Sequence, residues 1–116
     1  MKLRFLGGAG EVGRSAVLVN DALLLDYGMK TANPPQFPVG LSRGGSGVDP
    51  EAVVVSHGHL DHAGAVPALL SGDRRPPVHW TPPTRELALT LARDTLKLHG
   101  GTYDCPFTEA ELKRVT

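Results

Sequence analysis

Four side chains able to ligate a metal fall within six positions, His57, His59, Asp61 and His62, separated only by Gly58 and Leu60. Imidazole nitrogen and carboxylate oxygen are the donors that zinc and other borderline divalent ions take, at about 2.0–2.2 Å. The spacing narrows the geometry. Residues two apart diverge on a helix but share a side in extended backbone, so His57 and His59 can meet on one ion only from an extended loop. Asp61 and His62 then fall at the start of a following helix, where they can face a second ion, as in two-metal centres whose ions lie about 3.5–4 Å apart. The plainer alternative leaves all four as solvated loop residues, the aspartate capping a helix.

The neighbouring elements decide between these. The run Ala52-Val53-Val54-Val55-Ser56 is continuous and β-branched, the pattern of a strand buried on both faces, and the cluster begins where it ends. A short helix is expected over 63–70, with Pro67 tolerable in its first turn and Gly72 ending it. The cluster thus occupies a strand-to-helix loop beyond the carboxyl end of a strand, where α/β folds place their sites. Upstream, Leu3 and Phe5 alternate with Lys2 and Arg4 as a strand that breaks at Gly7-Gly8-Ala9-Gly10. Two apolar runs, 15–19 and 22–26, flank Asn20-Asp21 and predict an antiparallel hairpin. From 31 to 50 prolines and glycines crowd a stretch without periodicity, read as a long surface loop whose residues 42–47 have linker composition.

Downstream, Pro77-Val78-His79-Trp80 is a short strand candidate, and Thr81 with the following prolines opens a helix over 83–99. Its apolar face is expected to hold Leu87, Leu91 and Leu98 with Thr95 between them, and Gly100-Gly101 to end it. Thr108 and Glu111 have capping-box spacing, so another helix starts at Glu109. Fewer than about two turns of it remain before the last residue, which predicts a truncated reading frame. No internal repeat recurs along the chain.

Composition excludes several classes. A 41% hydrophobic content suffices for a core in a chain of 116 residues, and 14 glycines with 10 prolines predict many loops and short elements. Twelve basic residues balance twelve acidic ones, leaving no compositional footprint for a polyanion. The single cysteine, Cys105, has no partner for an internal disulfide, and a reducing cytoplasm is expected; it reads as a structural thiol. No stretch resembles a signal peptide or approaches the roughly 20 apolar residues of a spanning helix. His79, in a strand pattern, and His99, at a helix end, read as structural. Gly8-Ala9-Gly10-Glu11-Val12-Gly13 carries the letters of a dinucleotide fingerprint, but a hairpin follows instead of a helix, so the glycines are read as a tight loop beside the site. Asp26 alone is an ordinary polar end to a strand.

The run His57-x-His59-x-Asp61-His62 after a β-branched strand resembles the signature of the metallo-β-lactamase superfamily. More narrowly, Leu6-Gly7-Gly8-Ala9-Gly10-Glu11-Val12-Gly13-Arg14-Ser15, Leu24-Leu25-Asp26-Tyr27-Gly28 and Ser56-His57-Gly58-His59-Leu60-Asp61-His62-Ala63-Gly64 resemble the β-CASP nucleases. That branch includes ribonuclease J and the archaeal cleavage-and-polyadenylation-factor-like enzymes, and the likeness continues through Thr81-Pro82-Pro83-Thr84 and the helix after it. The resemblance implies an α/β fold, the first half of an αββα sandwich, truncated, with residues 1–116 forming a partial domain and the β-CASP domain absent. It implies two zinc ions, one on His57 and His59, the other on Asp61 and His62, with Asp61 catalytic and Asp26 supporting the site from an adjacent strand. It implies RNA as substrate. Later histidines and a bridging aspartate of the family have no counterpart here, so the chain alone is expected to be inactive, to expose a sheet face, and to need the remainder of the enzyme or self-association. Two alternatives stay open: a small-molecule metallo-hydrolase of the thioester or lactone type, and a non-catalytic chain that completes its fold with a partner.

Overall fold

A computed structural model describes residues 1–32, 35–39, 41, 48–70, 76–99 and 105–115. Alternating apolar positions produce one five-stranded sheet, β1 (Leu3–Gly7), β2 (Ala16–Val19), β3 (Leu23–Leu25), β4 (Ala52–Val54) and β5 (Val78–His79), neighbours in that order. The first two pairings are antiparallel and the last two parallel. The expected hairpin joins β2 to β3. Asn20 and Asp21 both take left-handed backbone, φ 52° and 57°, the mirror-image turn whose twist matches that of the strands it joins.

One face of the sheet is covered. Leu6, Ala16, Leu18, Leu24, Val53 and Val55 point to it and pack with Tyr27, Ala63, Ala65, Val66, Leu69 and Ala88. The covering layer consists of α1 (Leu60–Ala63), a 3-10 turn (Val66–Leu70) and α2 (Pro82–His99). A second cluster, Ala68, Leu89, Ala92, Cys105, Phe107 and Leu112, joins that layer to α3 (Glu109–Val115). Cys105 is buried there and its Sγ donates to the Phe107 carbonyl at 3.2 Å, a packing role. The capping box forms as expected: the Ala110 amide donates to Thr108 Oγ1 and the Thr108 amide to Glu111 Oε2, each at 3.3 Å.

Among the described residues nothing packs on the other face. Leu3, Phe5, Leu25 and Val54 lie on it, from 38% to 59% exposed, and the strand register aligns them with Val17, Val19, Leu23 and Ala52. This is a mixed α/β sheet with helices on one side, one half of a sandwich. It also corrects the reading of 52–56: Val53 and Val55 are buried, whereas Val54 is 39% exposed. β4 is apolar on both sides but covered on one.

Two helices differ from expectation. The helix placed over 63–70 begins earlier, at Leu60, and stops at Ala63; Val66–Leu70 is 3-10 instead. Pro67 has no N–H to continue an α-helical ladder, and its ring would strike the carbonyl four residues back. In α2 the buried residues are Ala88, Leu89, Ala92 and Thr95, while Leu87 is 37% and Leu98 70% exposed. Small side chains let the helix approach its neighbours, and Thr95 becomes compatible with burial because its Oγ1 donates to the Leu91 carbonyl at 3.0 Å. The linker reading of 42–47, the stop at Gly72 and the cap at Gly100-Gly101 lie outside the described residues, as does the side chain of His99.

The segment leaving β3 runs backbone to backbone along α1. Tyr27 N–H donates to the His62 carbonyl (2.9 Å) and Met29 N–H to that of Leu60 (2.6 Å), while Ser15 N–H donates to Asp61 (3.0 Å). Gly28 sits in the middle, where a Cβ would overlap the Asp61 carbonyl. Gly28→Ala should therefore force the two segments apart and destabilise the fold by about 1–3 kcal/mol, read as a lower urea midpoint. An unchanged midpoint would contradict this packing.

Candidate metal centre

β4 delivers the chain to the cluster, and the backbone then extends through His57, Gly58 and His59. His59, with φ −74° and ψ 161°, is the residue preceding the first turn of α1, so Asp61 and His62 open that helix as the spacing predicts. Gly58 is required by close approach: a Cβ there would lie 2.8 Å from the Thr84 carbonyl oxygen and 3.0 Å from Leu87 Cβ. Leu87 of α2 thereby presses on the loop rather than on the core.

Asp26 organises the other side. It directly follows β3 in left-handed backbone, φ 62°, and is 8% exposed. Its Oδ1 accepts the Ser56 amide at 2.7 Å, and its Oδ2 accepts both the Ser56 hydroxyl at 2.7 Å and His62 Nδ1–H at 2.8 Å. A carboxylate oxygen accepts, so in the neutral imidazole the proton of His62 sits on Nδ1 and the Nε2 lone pair is left for a ligand. Nε2 faces Asp61 Oδ2 at 3.5 Å. Those two donors form one pair.

His57 and His59 form the second, their ring centroids 4.2 Å apart, with the His57 ring 5.5 Å from that of His62. The His59 amide donates to His57 Nδ1 at 3.3 Å. That long, exposed bond is worth no more than about 1 kcal/mol, so turning the His57 ring toward a ligand costs little. Among the described residues no group of three or more His, Cys, Asp or Glu side chains is arranged to hold one ion. The donor set, three imidazoles and a carboxylate, has the chemistry that zinc-class ions take, arranged as two pairs and not as a closed shell. It fits a metal in part.

The glycine-rich loop closes one side of the centre. Gly8, Glu11, Val12, Gly13 and Ser15 line a recess of about 250 Å³ together with Asp61 and His62. No helix follows the loop, and its role is the tight turn expected. Glu11 fastens it: Arg14 Nε donates to Oε2 at 2.9 Å and Oε1 at 3.1 Å, and Lys30 Nζ to Oε1 at 3.2 Å. The Arg14 hydrogen bond, aided by Lys30 and the Gly8 amide, holds the Glu11 carboxyl below its ordinary range against the opposing effect of desolvation. A carboxyl lowered in the fold contributes stability above its unfolded value and loses it as pH falls through the lowered one.

The structure brings together all five residues singled out from the sequence, Asp26, His57, His59, Asp61 and His62. His79 lies apart, on β5. Sequence reasoning missed three participants: Ser56, which ties β4 to Asp26; the Tyr27–Met29 backbone; and the Glu11–Arg14–Lys30 cluster. The first carried a local signal, as a hydroxyl at the end of an apolar run, while Glu11, Arg14, Tyr27 and Gly28 stood out only as members of the resembling motifs.

Residues 9–110 match the metallo-beta-lactamase superfamily. The chain belongs to the metallo-beta-lactamase superfamily. Over 102 residues it is 39% identical to the transcription termination factor FttA of Lokiarchaeum, covering 84% of this chain and 16% of that protein. It is 37% identical to RNase aCSPSF2 of Saccharolobus solfataricus, covering 97% and 23%, and 36% identical to FttA of Methanocaldococcus jannaschii, covering 97% and 19%. These relatives agree with the narrower resemblance to the archaeal β-CASP nucleases. The chain spans between 16% and 23% of their length.

In the structure the Asp26 carboxylate ties Ser56 and His62 together at the candidate centre. Asp26→Ala would leave the Ser56 amide and the His62 Nδ1–H without their acceptor and keep an unfavourable left-handed residue, at a cost of about 2–4 kcal/mol. Denaturant unfolding should show that loss; a change below about 0.5 kcal/mol, the range of ordinary surface substitutions, would contradict the role.

Proposed function

We propose that this chain carries part of the active centre of a zinc-dependent ribonuclease that hydrolyses phosphodiester bonds. The observation that carries the reading is the Asp26–His62 hydrogen bond, which fixes the imidazole with Nε2 available beside Asp61. The printed names of the relatives, a termination factor and an RNase, supply the substrate class. His57 and His59 would hold one ion, and Asp61 and His62 the other. Bound zinc would supply Lewis acidity and bring a water's pKa to about 7. The chain's own residues prepare for that chemistry: Asp26 orients His62, Ser56 orients Asp26, and the first turn of α1 fixes Asp61 toward the same recess. The same reading places the protein in the cytoplasm; no described helix is long and apolar enough to cross a membrane.

The open face of the sheet favours an addition. We propose that working catalysis needs that face covered, by further polypeptide of the same enzyme or by a second copy, because contiguous exposed apolar surface drives association. The two-pair donor arrangement points the same way, since catalytic zinc takes about three protein ligands. The 116-residue chain by itself is then a weak metal binder without hydrolytic activity.

Zinc titration of purified chain, resolved by size exclusion, tests this. Monomer should bind zinc weakly, with His57→Ala and Asp61→Ala each weakening it by a further tenfold or so, as loss of a ligand shell member does; associated species should bind tighter. Zinc affinity that neither substitution alters would remove the proposed centre.

A further inference from the structure

Leu91, which helical patterning assigns to the core, lines instead a recess of about 470 Å³ at the edge of the candidate centre. Val12 and Leu60 supply the other apolar walls, Lys30 and Thr31 the polar ones, and His59 and Asp61 open onto it from the two donor pairs. Val12 is 81% exposed at the tip of the glycine-rich loop. The recess is large enough for a small organic ligand, and its lining is mixed: the aliphatic side chains of Val12, Leu60 and Leu91 together with the cation of Lys30.

The charge balance identifies what that end recognises. Glu11 is shared between Arg14 and Lys30, so the three residues carry one negative and two positive charges. Arg14 takes both Glu11 oxygens. Lys30 donates one of its three ammonium protons to Glu11, and its side chain is 36% exposed. Among the described residues no other acceptor takes its remaining two protons, which a compact, positioned cation can offer an anion. Aliphatic walls and a cation in one recess, bordering the candidate donors for phosphodiester hydrolysis, match a nucleotide: a base with two apolar faces, and a phosphate.

We propose that this recess seats the nucleotide flanking the scissile phosphate of a single-stranded RNA, its base between Val12 and Leu91 and its phosphate on Lys30. The inference rests on the ribonuclease reading above. Aliphatic walls contact base faces without reading hydrogen-bond edges, so recognition is tolerant of sequence. A base stacked within a duplex cannot enter, so single strands are selected. Lys30 and Val12 are thus positioning residues that hold substrate and take no part in bond cleavage.

The test is fluorescence anisotropy of a labelled single-stranded oligoribonucleotide with the whole chain, in EDTA and across a salt series, so that metal ligation plays no part. Lys30→Gln, which keeps the aliphatic stem, should weaken binding about five- to tenfold and reduce the slope of log affinity against log salt by about 0.7, one phosphate contact on a single strand. Val12→Ser, at an exposed position, should weaken binding about three- to fivefold, the loss of one or so buried methyl groups, and leave the slope unchanged. A duplex of the same sequence should bind more weakly than the single strand. If the native chain binds RNA but both variants keep its affinity and slope, or duplex binds equally well, the recess is not the seat and the ribonuclease reading survives. If the native chain binds no RNA in any salt, the inference falls together with the RNA reading.

Discussion

The buried carboxylate of Asp26 holds three segments in register. It sits at the end of β3, takes the amide and hydroxyl of Ser56 at the end of β4, and takes the ring of His62 in α1. Left-handed backbone at a non-glycine residue costs about 1–3 kcal/mol. Hydrogen bonds to a charged group return about 1.5–3 kcal/mol each, and there are three of them. The strained conformation is therefore stable, and it aims the carboxylate across two strand ends. The backbone bonds from Tyr27 and Met29 to α1 run in the same direction. The geometry of the candidate centre follows from this clamp more than from the four-residue cluster itself.

The clamp also explains why the centre lies at an edge. Both parallel pairings, β3 to β4 and β4 to β5, bring carboxyl ends of strands to the same side of the sheet. Loops leaving that side converge with the glycine-rich loop after β1. The covered face supplies the rigid floor through Leu24, Val53 and Tyr27, each fully buried. The opposite face, by contrast, presents exposed Leu3, Phe5, Leu25 and Val54, with no described residue packed over them. Among the described residues, the sheet is packed on one face and the donors stand as two pairs.

Legibility from sequence followed the range of the interactions involved. The hairpin at Asn20-Asp21, the cap at Thr81 and the capping box at Thr108 were readable because their chemistry is local. The Thr81 hydroxyl, for instance, accepts the Thr84 amide at 3.3 Å. The metal-type cluster was readable because its donors lie within six residues. The buried face of α2 was not, because leucine periodicity records hydrophobicity while close helix approach selects alanine; Ala88 and Ala92 are inside and Leu98 outside. The 3-10 turn at Pro67 was half readable, since the proline announced the break but not the early start at Leu60. The part played by Asp26 came from the family resemblance alone, because Ser56 and His62 stand 30 and 36 positions away and no local pattern joins them.

The most direct measurement of this account is the tautomeric state of His62 in the metal-free chain, read from long-range nitrogen–proton correlation spectra with ring nitrogens labelled. The account predicts that when the ring carries a single proton, that proton sits on Nδ1, held by Asp26, and Nε2 is unprotonated. A neutral ring protonated on Nε2 would mean that the carboxylate does not orient this histidine, and the central claim would fail.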